Sequence, residues 1–185
     1  MTAVHSVYLA RHGETDDNRE PIRVQGFTDT PLNETGCRQA TELAERVAPL
    51  GIRSLWSSDL SRARVTAEIV SARLGLAVAL DPRLREANRG EWEGRLFMDI
   101  EREEPERYAA WRRAGRQFRF PGGESLAEQR DRVMAALKDI RSSGVLPALV
   151  VCHGGTIRVA LSSRDPRGLH AFHEFKVPNV ALVAM

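Results

Sequence analysis

The sequence predicts an α/β fold in three layers, α/β/α, with a largely parallel central sheet, and three observations carry that expectation. Short apolar runs of strand length alternate with longer segments whose apolar residues recur every three or four positions. Strands that alternate with helices pair in parallel, because the chain returns across the sheet through each helix before the next strand begins. Two of the apolar runs, Val7-Tyr8-Leu9-Ala10 and Leu149-Val150-Val151, lead within two residues to a histidine next to glycine. In an open α/β sheet that strand end is the edge where ligands bind.

The elements follow in order. A first strand is expected from Ser6 to Ala10, and a first helix opens near Gly36 with Ala40, Leu43, Ala44 and Val47 on one face. A second strand spans Ser54 to Trp56. Ala63, Ala67, Val70 and Leu74 then form a helical stripe that ends at Gly75, a residue suited to the left-handed turn that closes helices. A third strand is expected from Ala77 to Leu80. Arg95 to Phe120 break the rhythm, being rich in charge and aromatics with little core periodicity, and they read as a helical insertion over the site. A further stripe runs through Leu126, Arg130, Val133 and Leu137, interrupted by Arg130, and is followed by strands at Ala148 to Cys152 and Val180 to Ala184. With neither repeat nor low-complexity tract, residues 1–185 read as a single domain whose inserted cap covers about 95–120.

Composition narrows the classes further. The 185 residues, 42% hydrophobic and 28% charged, suffice for one well-filled core. No apolar run approaches the ~20 residues of a membrane span, and the chain enters its first strand without a charged and apolar leader. The expectation is a cytoplasmic protein with no membrane partner. Cys37 and Cys152 fit neither a disulfide framework nor a metal set, and both read as reduced thiols with the burial habit of free cysteine. The net charge of +2 comes from 27 basic residues interleaved with 25 acidic ones, as on a solvated mixed surface. The densest basic cluster, Arg112, Arg113, Arg116 and Arg119 around Trp111 and Phe118, accompanies no nucleic-acid motif, so nucleic acid is not an expected partner. Oligomeric state is not legible.

Chemistry concentrates at Arg11-His12-Gly13-Glu14-Thr15 and Cys152-His153-Gly154-Gly155. Glycine lets backbone approach a ligand closely, and Arg11 offers a planar fork of donors suited to phosphate. Together they describe a phosphate site with imidazole chemistry. A neutral His12 can attack phosphorus through one ring nitrogen if the other is held as a donor, giving a phosphohistidine; the plainer alternative is a histidine satisfied within a turn. Arg62 falls in the first turn of its helix, where backbone donors and the helix dipole favour an anion, although a surface ion pair with Asp59 or Glu68 would also account for it. Trp56 and Trp92 read as core. His170 and His173 have i, i+3 spacing without a third ligand, so they and His5 read as structural histidines and no metal is expected.

These motifs stand in a longer series. Asn18, Gln25-Gly26-Phe27-Thr28-Asp29-Thr30-Pro31-Leu32-Asn33, Ser57-Ser58-Asp59-Leu60-Ser61-Arg62-Ala63-Arg64, Leu84-Arg85-Glu86, Gly90-Glu91-Trp92-Glu93-Gly94 and Pro121-Gly122-Gly123-Glu124-Ser125-Leu126 lie between the two histidine motifs. From about Val7 to Leu161 the series closely resembles the histidine phosphatase superfamily, the phosphoglycerate mutase-like proteins, and within it the small phosphatases such as α-ribazole phosphatase. The resemblance implies a metal-independent phosphomonoesterase that acts on a small phosphorylated metabolite through a phosphohistidine, with no cofactor. It implies His12 as nucleophile, Arg11, Arg62 and His153 around the phosphoryl group, and Asn18, Gln25, Gly26 and Gly154 as further substrate contacts. Glu86 is the implied general acid. The residues alone leave Glu86, Glu91 and Glu93 equivalent, and only the family position four residues before Gly90 selects Glu86. Its pKa has to rise for that task, which a cation-rich site does not do but an arriving phosphate does.

The chain also departs from the pattern. Family mutases carry Glu-Arg-His-Tyr where this chain has Glu86-Ala87-Asn88-Arg89, and a longer segment before the second histidine motif. Both departures favour hydrolysis over a cofactor-dependent phosphoglycerate mutase. Asn88 also stands where many family phosphatases have histidine, and Arg164-Asp165-Pro166-Arg167-Gly168 replaces a longer helical stretch. A non-catalytic phosphate-ligand binder would not need a nucleophile and an acid together, which speaks against that third reading.

Overall fold

The computed structural model describes residues 7–185; His5 and the first residue of the expected first strand, Ser6, lie outside them. The strands are β1 (Val7–Arg11), β2 (Ser54–Ser57), β3 (Val78–Leu80), β4 (Ala148–Cys152) and β5 (Leu182–Ala184). They form one sheet in the order β3-β2-β4-β1-β5. All pairs are parallel except β1 with β5, which is antiparallel. The five expected strands are therefore present, β4 with the expected ends and the others with an end shifted by one or two residues. In register, Leu9 faces Val150 and Arg11 faces Cys152.

Side chains alternate between the two faces as the strand period of two requires. Val7, Leu9, Ala148, Val150 and Cys152 join one apolar cluster, and Ala10, Leu149, Val151 and Leu55 the other. The second cluster is closed by α1 (Glu34–Val47) and α2 (Ser61–Leu74), through Leu43, Ala44, Val47, Ala63, Ala67 and Val70. The first is closed by α5 (Leu126–Ser142) and α6 (Gly154–Ser162). Local signals set the ends: the Asn33 side chain accepts from Gly36 N–H at 2.8 Å to start α1, Gly75 ends α2 at φ +69°, and Ser125 with Glu128 forms a capping box on α5.

Two expectations need correction, and a third segment carries a feature the sequence did not show. The α5 stripe runs through Leu126, Gln129, Val133, Ala136, Leu137 and Ile140, and Arg130 lies beside it rather than in it, so a buried amide and not a guanidinium interrupts the apolar face. Cys37 is exposed while Cys152 is buried, because Cys37 falls on the outer side of α1. The segment between Arg95 and Phe120 forms α3 (Phe97–Glu103) and α4 (Pro105–Arg113), yet it is rooted in the core. Ile100, Trp111, Phe118 and Phe120 pack with fully buried Trp92. Aromatic rings meet there edge to face or tilted, Trp92 with Trp111 at 6.2 Å and with Phe120 at 5.6 Å. Because that anchor is made of a few large rings, periodicity failed to reveal it. Among the described residues, no helix is long and apolar enough to cross a membrane.

Candidate active site

A cavity of about 580 Å³ opens at the carboxyl ends of β1 and β4. Parallel pairing brings the two histidine motifs together there, and His12 N–H continues the pairing by donating to the Cys152 carbonyl at 3.0 Å. Arg11, His12, Arg62, Glu86, Gly154 and Gly155 line its floor, with Asn18, Gln25 and Gly26 on one side. The rim carries Phe97, Met98, Glu101, Tyr108, Trp111 and Arg112 from α3 and α4.

His12 is 3% exposed. Its Nδ1 lies 2.6 Å from the Gly13 carbonyl oxygen. A carbonyl only accepts, so Nδ1 carries the proton and Nε2 the lone pair. Burial, then the cost of protonating this ring and that of His153 together, and then the charges of Arg62 and Arg11, hold the ring well below the ordinary imidazole value, against the smaller opposing effect of the Gly13 bond. Neutral imidazole is thus the resting form. The loop that presents it requires glycine: a Cβ on Gly13 would lie 2.3 Å from the Gly36 carbonyl oxygen, and Gly13 N–H donates to Thr66 Oγ1 at 3.2 Å.

His153 is completely buried and is not part of the cavity lining. Its ring stands behind His12, with centroids 5.2 Å apart and planes at 61°, and its Nε2 lies 2.8 Å from Ser58 Oγ. Burial and the charges of Arg62 and Arg11 keep it neutral as well.

Arg62 is 0% exposed. It donates to the carbonyls of Thr28 and Gly26, each at 2.8 Å, while its Nε–H has no partner among the described residues. Asp59 pairs with Arg85 and Glu68 with Arg64, so neither takes part in the surface pair considered for Arg62. Arg11 donates to the Val177 carbonyl at 2.7 Å, and its Nε–H is likewise without a partner. Burial lowers both guanidinium values to about 10, which leaves them charged at neutral pH. Two fixed cations with free donors, beside a neutral nucleophile, suit a phosphoryl group. The amide Nδ2 of Asn18 also lacks a partner, and the Gln25 amide donates to Thr15 Oγ1.

Of the three glutamates weighed, Glu86 alone lines the cavity. Glu93 binds the 25–28 loop instead, accepting from Phe27 N–H, Thr28 N–H and Thr28 Oγ1, each at 2.8 Å. Glu91 is exposed on the surface. The Glu86 carboxylate accepts from Gly155 N–H at 2.8 Å, Ala87 N–H at 2.9 Å and Gln129 Nε2 at 3.0 Å. It therefore caps the otherwise unsatisfied first turn of α6, and a Cβ on Gly155 would fall 2.1 Å from its Oε1. Burial raises its pKa, but the Arg89 charge and the Gly155 and Ala87 N–H groups outweigh burial and hold it at about 2.

Asn88 does not line the cavity; it shapes a turn, accepting from Gly90 N–H at 3.0 Å. The basic cluster on the cap is split, with Arg112 on the cavity rim and Arg119 paired with Glu128 at 2.6 Å. Sequence reasoning missed Arg89, Arg158 and His173 as cavity residues. Arg158 was within reach, being one helical turn beyond Gly154 on the same face. His173 was set aside with His170 as structural, but it lines the wall and donates or accepts at Trp111 O, 2.8 Å away; since that oxygen only accepts, Nε2 is the donor. Among the described residues, no group of three or more His, Cys, Asp or Glu is placed to hold a metal ion.

Comparison with known proteins agrees with this geometry. The model of the histidine phosphatase superfamily (branch 1) matches residues 7–185. A curated relative from Escherichia coli O1:K1 / APEC, named probable phosphoglycerate mutase GpmB, is 44% identical over 154 residues, covering 80% of this chain and 69% of its own. Mycobacterial glucosyl-3-phosphoglycerate phosphatase in complex with VO3 has a TM-score of 0.87 at 30% identity, covering 97% of this chain and 90% of its own. The α-ribazole phosphatase from Shigella flexneri has a TM-score of 0.83 at 28% identity, over 97% and 89%. The α/β architecture is the one those structures share, and the chain belongs to branch 1 of the histidine phosphatase superfamily and is an enzyme of that family.

Proposed function

We propose that the chain is a metal-independent phosphomonoesterase that hydrolyses a small phosphorylated metabolite through a phosphohistidine on His12. The observation that carries this reading is the fixed tautomer of His12, with Nδ1–H on the Gly13 carbonyl at 2.6 Å, inside a cavity lined by Arg11, Arg62 and Glu86. The Nε2 lone pair attacks phosphorus in line while the ester P–O bond breaks, and Arg11 and Arg62 hold the non-reacting oxygens. Glu86 gives a proton to the departing oxygen. Water then attacks phosphorus, the P–N bond breaks, and the water proton passes through Glu86 and leaves on the released phosphate, which restores the ionised carboxylate. His153, its ring packed 5.2 Å from that of the nucleophile, positions it. Asn18, Gln25, Gly26 and Gly154 complete the substrate contacts, and α3 and α4 act as the cap of a single domain.

Glu86 starts the cycle ionised, since its pKa is held at about 2. The proton therefore arrives with the substrate, whose monoanion carries one below a second pKa of about 6, and the phosphoryl charge raises the proton affinity of Glu86 on binding.

The name of the curated relatives, probable phosphoglycerate mutase, motivates one other reading, transfer of phosphate to a second sugar acid. Following labelled phosphate from 3-phosphoglycerate decides between them. Release as inorganic phosphate supports hydrolysis; transfer to the 2-position of glycerate supports the mutase and removes the first reading.

A further inference from the structure

The buried face of α5 carries one polar side chain that packing alone does not account for. Gln129 is 0% exposed, in a stripe whose other members are Leu126, Val133, Ala136, Leu137 and Ile140. Its Nε2 donates to Glu86 Oε1 at 3.0 Å. The amide is oriented by its partner, because a carboxylate held ionised only accepts and so faces the NH2 end. Gln129 Oε1 is then left without a partner among the described residues. A buried acceptor left unpaired opposes folding, and an apolar residue of similar size would fill the stripe without that penalty. What the amide adds is its bond to Glu86.

The two oxygens of Glu86 are held from different sides. Oε1 accepts from Ala87 N–H at 2.9 Å and from Gln129, and neither of those residues lines the cavity. Oε2 accepts from Gly155 N–H at 2.8 Å and lies 3.7 Å from Arg89 Nη2, and both of those residues do line it. A carboxylate oxygen offers two lone-pair positions. Both are taken on Oε1. On Oε2 only one is taken, because Arg89 stands beyond hydrogen-bond distance. The open position therefore belongs to the oxygen held by the cavity-lining groups.

We infer that Gln129 is a positioning residue for the general acid: by filling the second lone pair of Oε1 it leaves Oε2 as the oxygen that takes up and delivers the proton, an inference that rests on the phosphomonoesterase reading. The proton passes from a phosphoryl oxygen of the bound monoanion to Oε2. From Oε2 it goes to the ester oxygen as the P–O bond breaks and the P–N bond to His12 forms. Oε1 keeps both of its N–H bonds throughout, so the carboxyl plane does not turn. Without the Gln129 donor, Oε1 offers a second protonation site on the side of α5, and a proton bound there does not reach the leaving group.

The ratio of two rates tests this role. Gln129→Met replaces the amide with an apolar chain of similar length, and Gln129→Asn keeps the amide but draws it back by one methylene; a thermal melt shows which variants are folded. In either one, kcat for propyl phosphate should fall about tenfold or more relative to kcat for p-nitrophenyl phosphate, whose good leaving group needs no proton, with KM for both esters within about threefold of the wild type. In a Glu86→Gln background the same substitutions should change that ratio by less than about twofold, since the proton carrier is already gone. Equal losses on both esters, no loss on either, or an undiminished effect in the Glu86→Gln background overturns the positioning role. The phosphomonoesterase reading fails separately, if the wild type releases inorganic phosphate from neither ester.

Discussion

At the floor of the cavity, His12, Arg62 and Glu86 are each less than a tenth exposed and each fixed by backbone groups, Gly13 for the first, Thr28 and Gly26 for the second, Gly155 and Ala87 for the third. Across the cavity, the rim carries Met98 at 61% exposure, with Arg112 and Glu101 also exposed. The floor is held by strand ends and a helix start that the sheet topology fixes, whereas the rim hangs on a few aromatic anchors. The difference assigns them different work. A rigid, dry floor suits chemistry that every phosphate ester shares, and a solvated wall can vary with the leaving group at little expense to the fold.

Substitutions at the floor should break activity on all substrates. His12→Ala is expected to lower kcat by about 10⁴-fold or more, since a covalent route loses its nucleophile; steady-state assays with p-nitrophenyl phosphate and an alkyl phosphate check this. Glu86→Gln sharpens the comparison. It should reduce alkyl phosphate hydrolysis by roughly 10²–10⁴-fold but aryl phosphate hydrolysis far less, because a good leaving group needs no proton. Equal losses on both would make Glu86 a structural cap of α6 and nothing more.

The floor also sets the pH response. The folded pKa of His12 lies well below 6.5 and that of Glu86 at about 2, so both groups are in their resting forms at pH 6.5. With the productive proton carried by the substrate monoanion, kcat/KM for an alkyl phosphate should be highest near the ester's second pKa of about 6 and fall tenfold per unit above it. A flat profile to pH 8 would remove the substrate as proton carrier. Stability has the opposite slope. The imidazoles of His12 and His153 have depressed folded values, so unfolded chains bind more protons as pH falls below 6.5, and Glu86 adds a further loss between about 4.5 and 2. Melting temperature should decline through both windows. His12→Ala, which removes one of these protonation sites, should flatten the first.

At the wall the effects should be smaller and substrate-dependent. Met98→Ala, at an exposed position, should change stability by no more than about 0.5 kcal/mol while altering KM differently for small and bulky esters. A chemical-denaturation curve and a KM panel test it. A uniform loss of kcat across the panel would place the wall in the chemistry and dissolve the distinction between the two regions.

The same contrast governs what the sequence made legible. The sheet, the helical stripes of α1 and α2 and the two histidine motifs are visible because strand alternation, helix periodicity and glycine next to histidine are local signals with local causes, whereas Arg62 was singled out by the family pattern over a surface ion pair. Glu86 needed the family pattern, since no local signal separates it from Glu91 and Glu93; only the folded chain aims it at the start of α6. The wall was least legible. Its anchor is a three-dimensional aromatic cluster drawn from Trp92, Trp111, Phe118 and Phe120, and His173 reaches the cavity from a 3₁₀ segment near the end of the chain. Gln129 shows the same limit inside a well-predicted helix, where a polar residue on the buried face has its meaning only once Glu86 stands 3.0 Å away.

The central claim is that His12 carries the phosphoryl group between ester and water. Rapid quench of the wild-type enzyme with a 32P-labelled phosphomonoester, followed by peptide mapping, tests it most directly. The account predicts acid-labile, alkali-stable label on the peptide containing His12, formed and lost at rates fast enough to support turnover, and neither label nor turnover in His12→Ala. Wild-type turnover by His12→Ala, or label on another residue in the native enzyme, would contradict it.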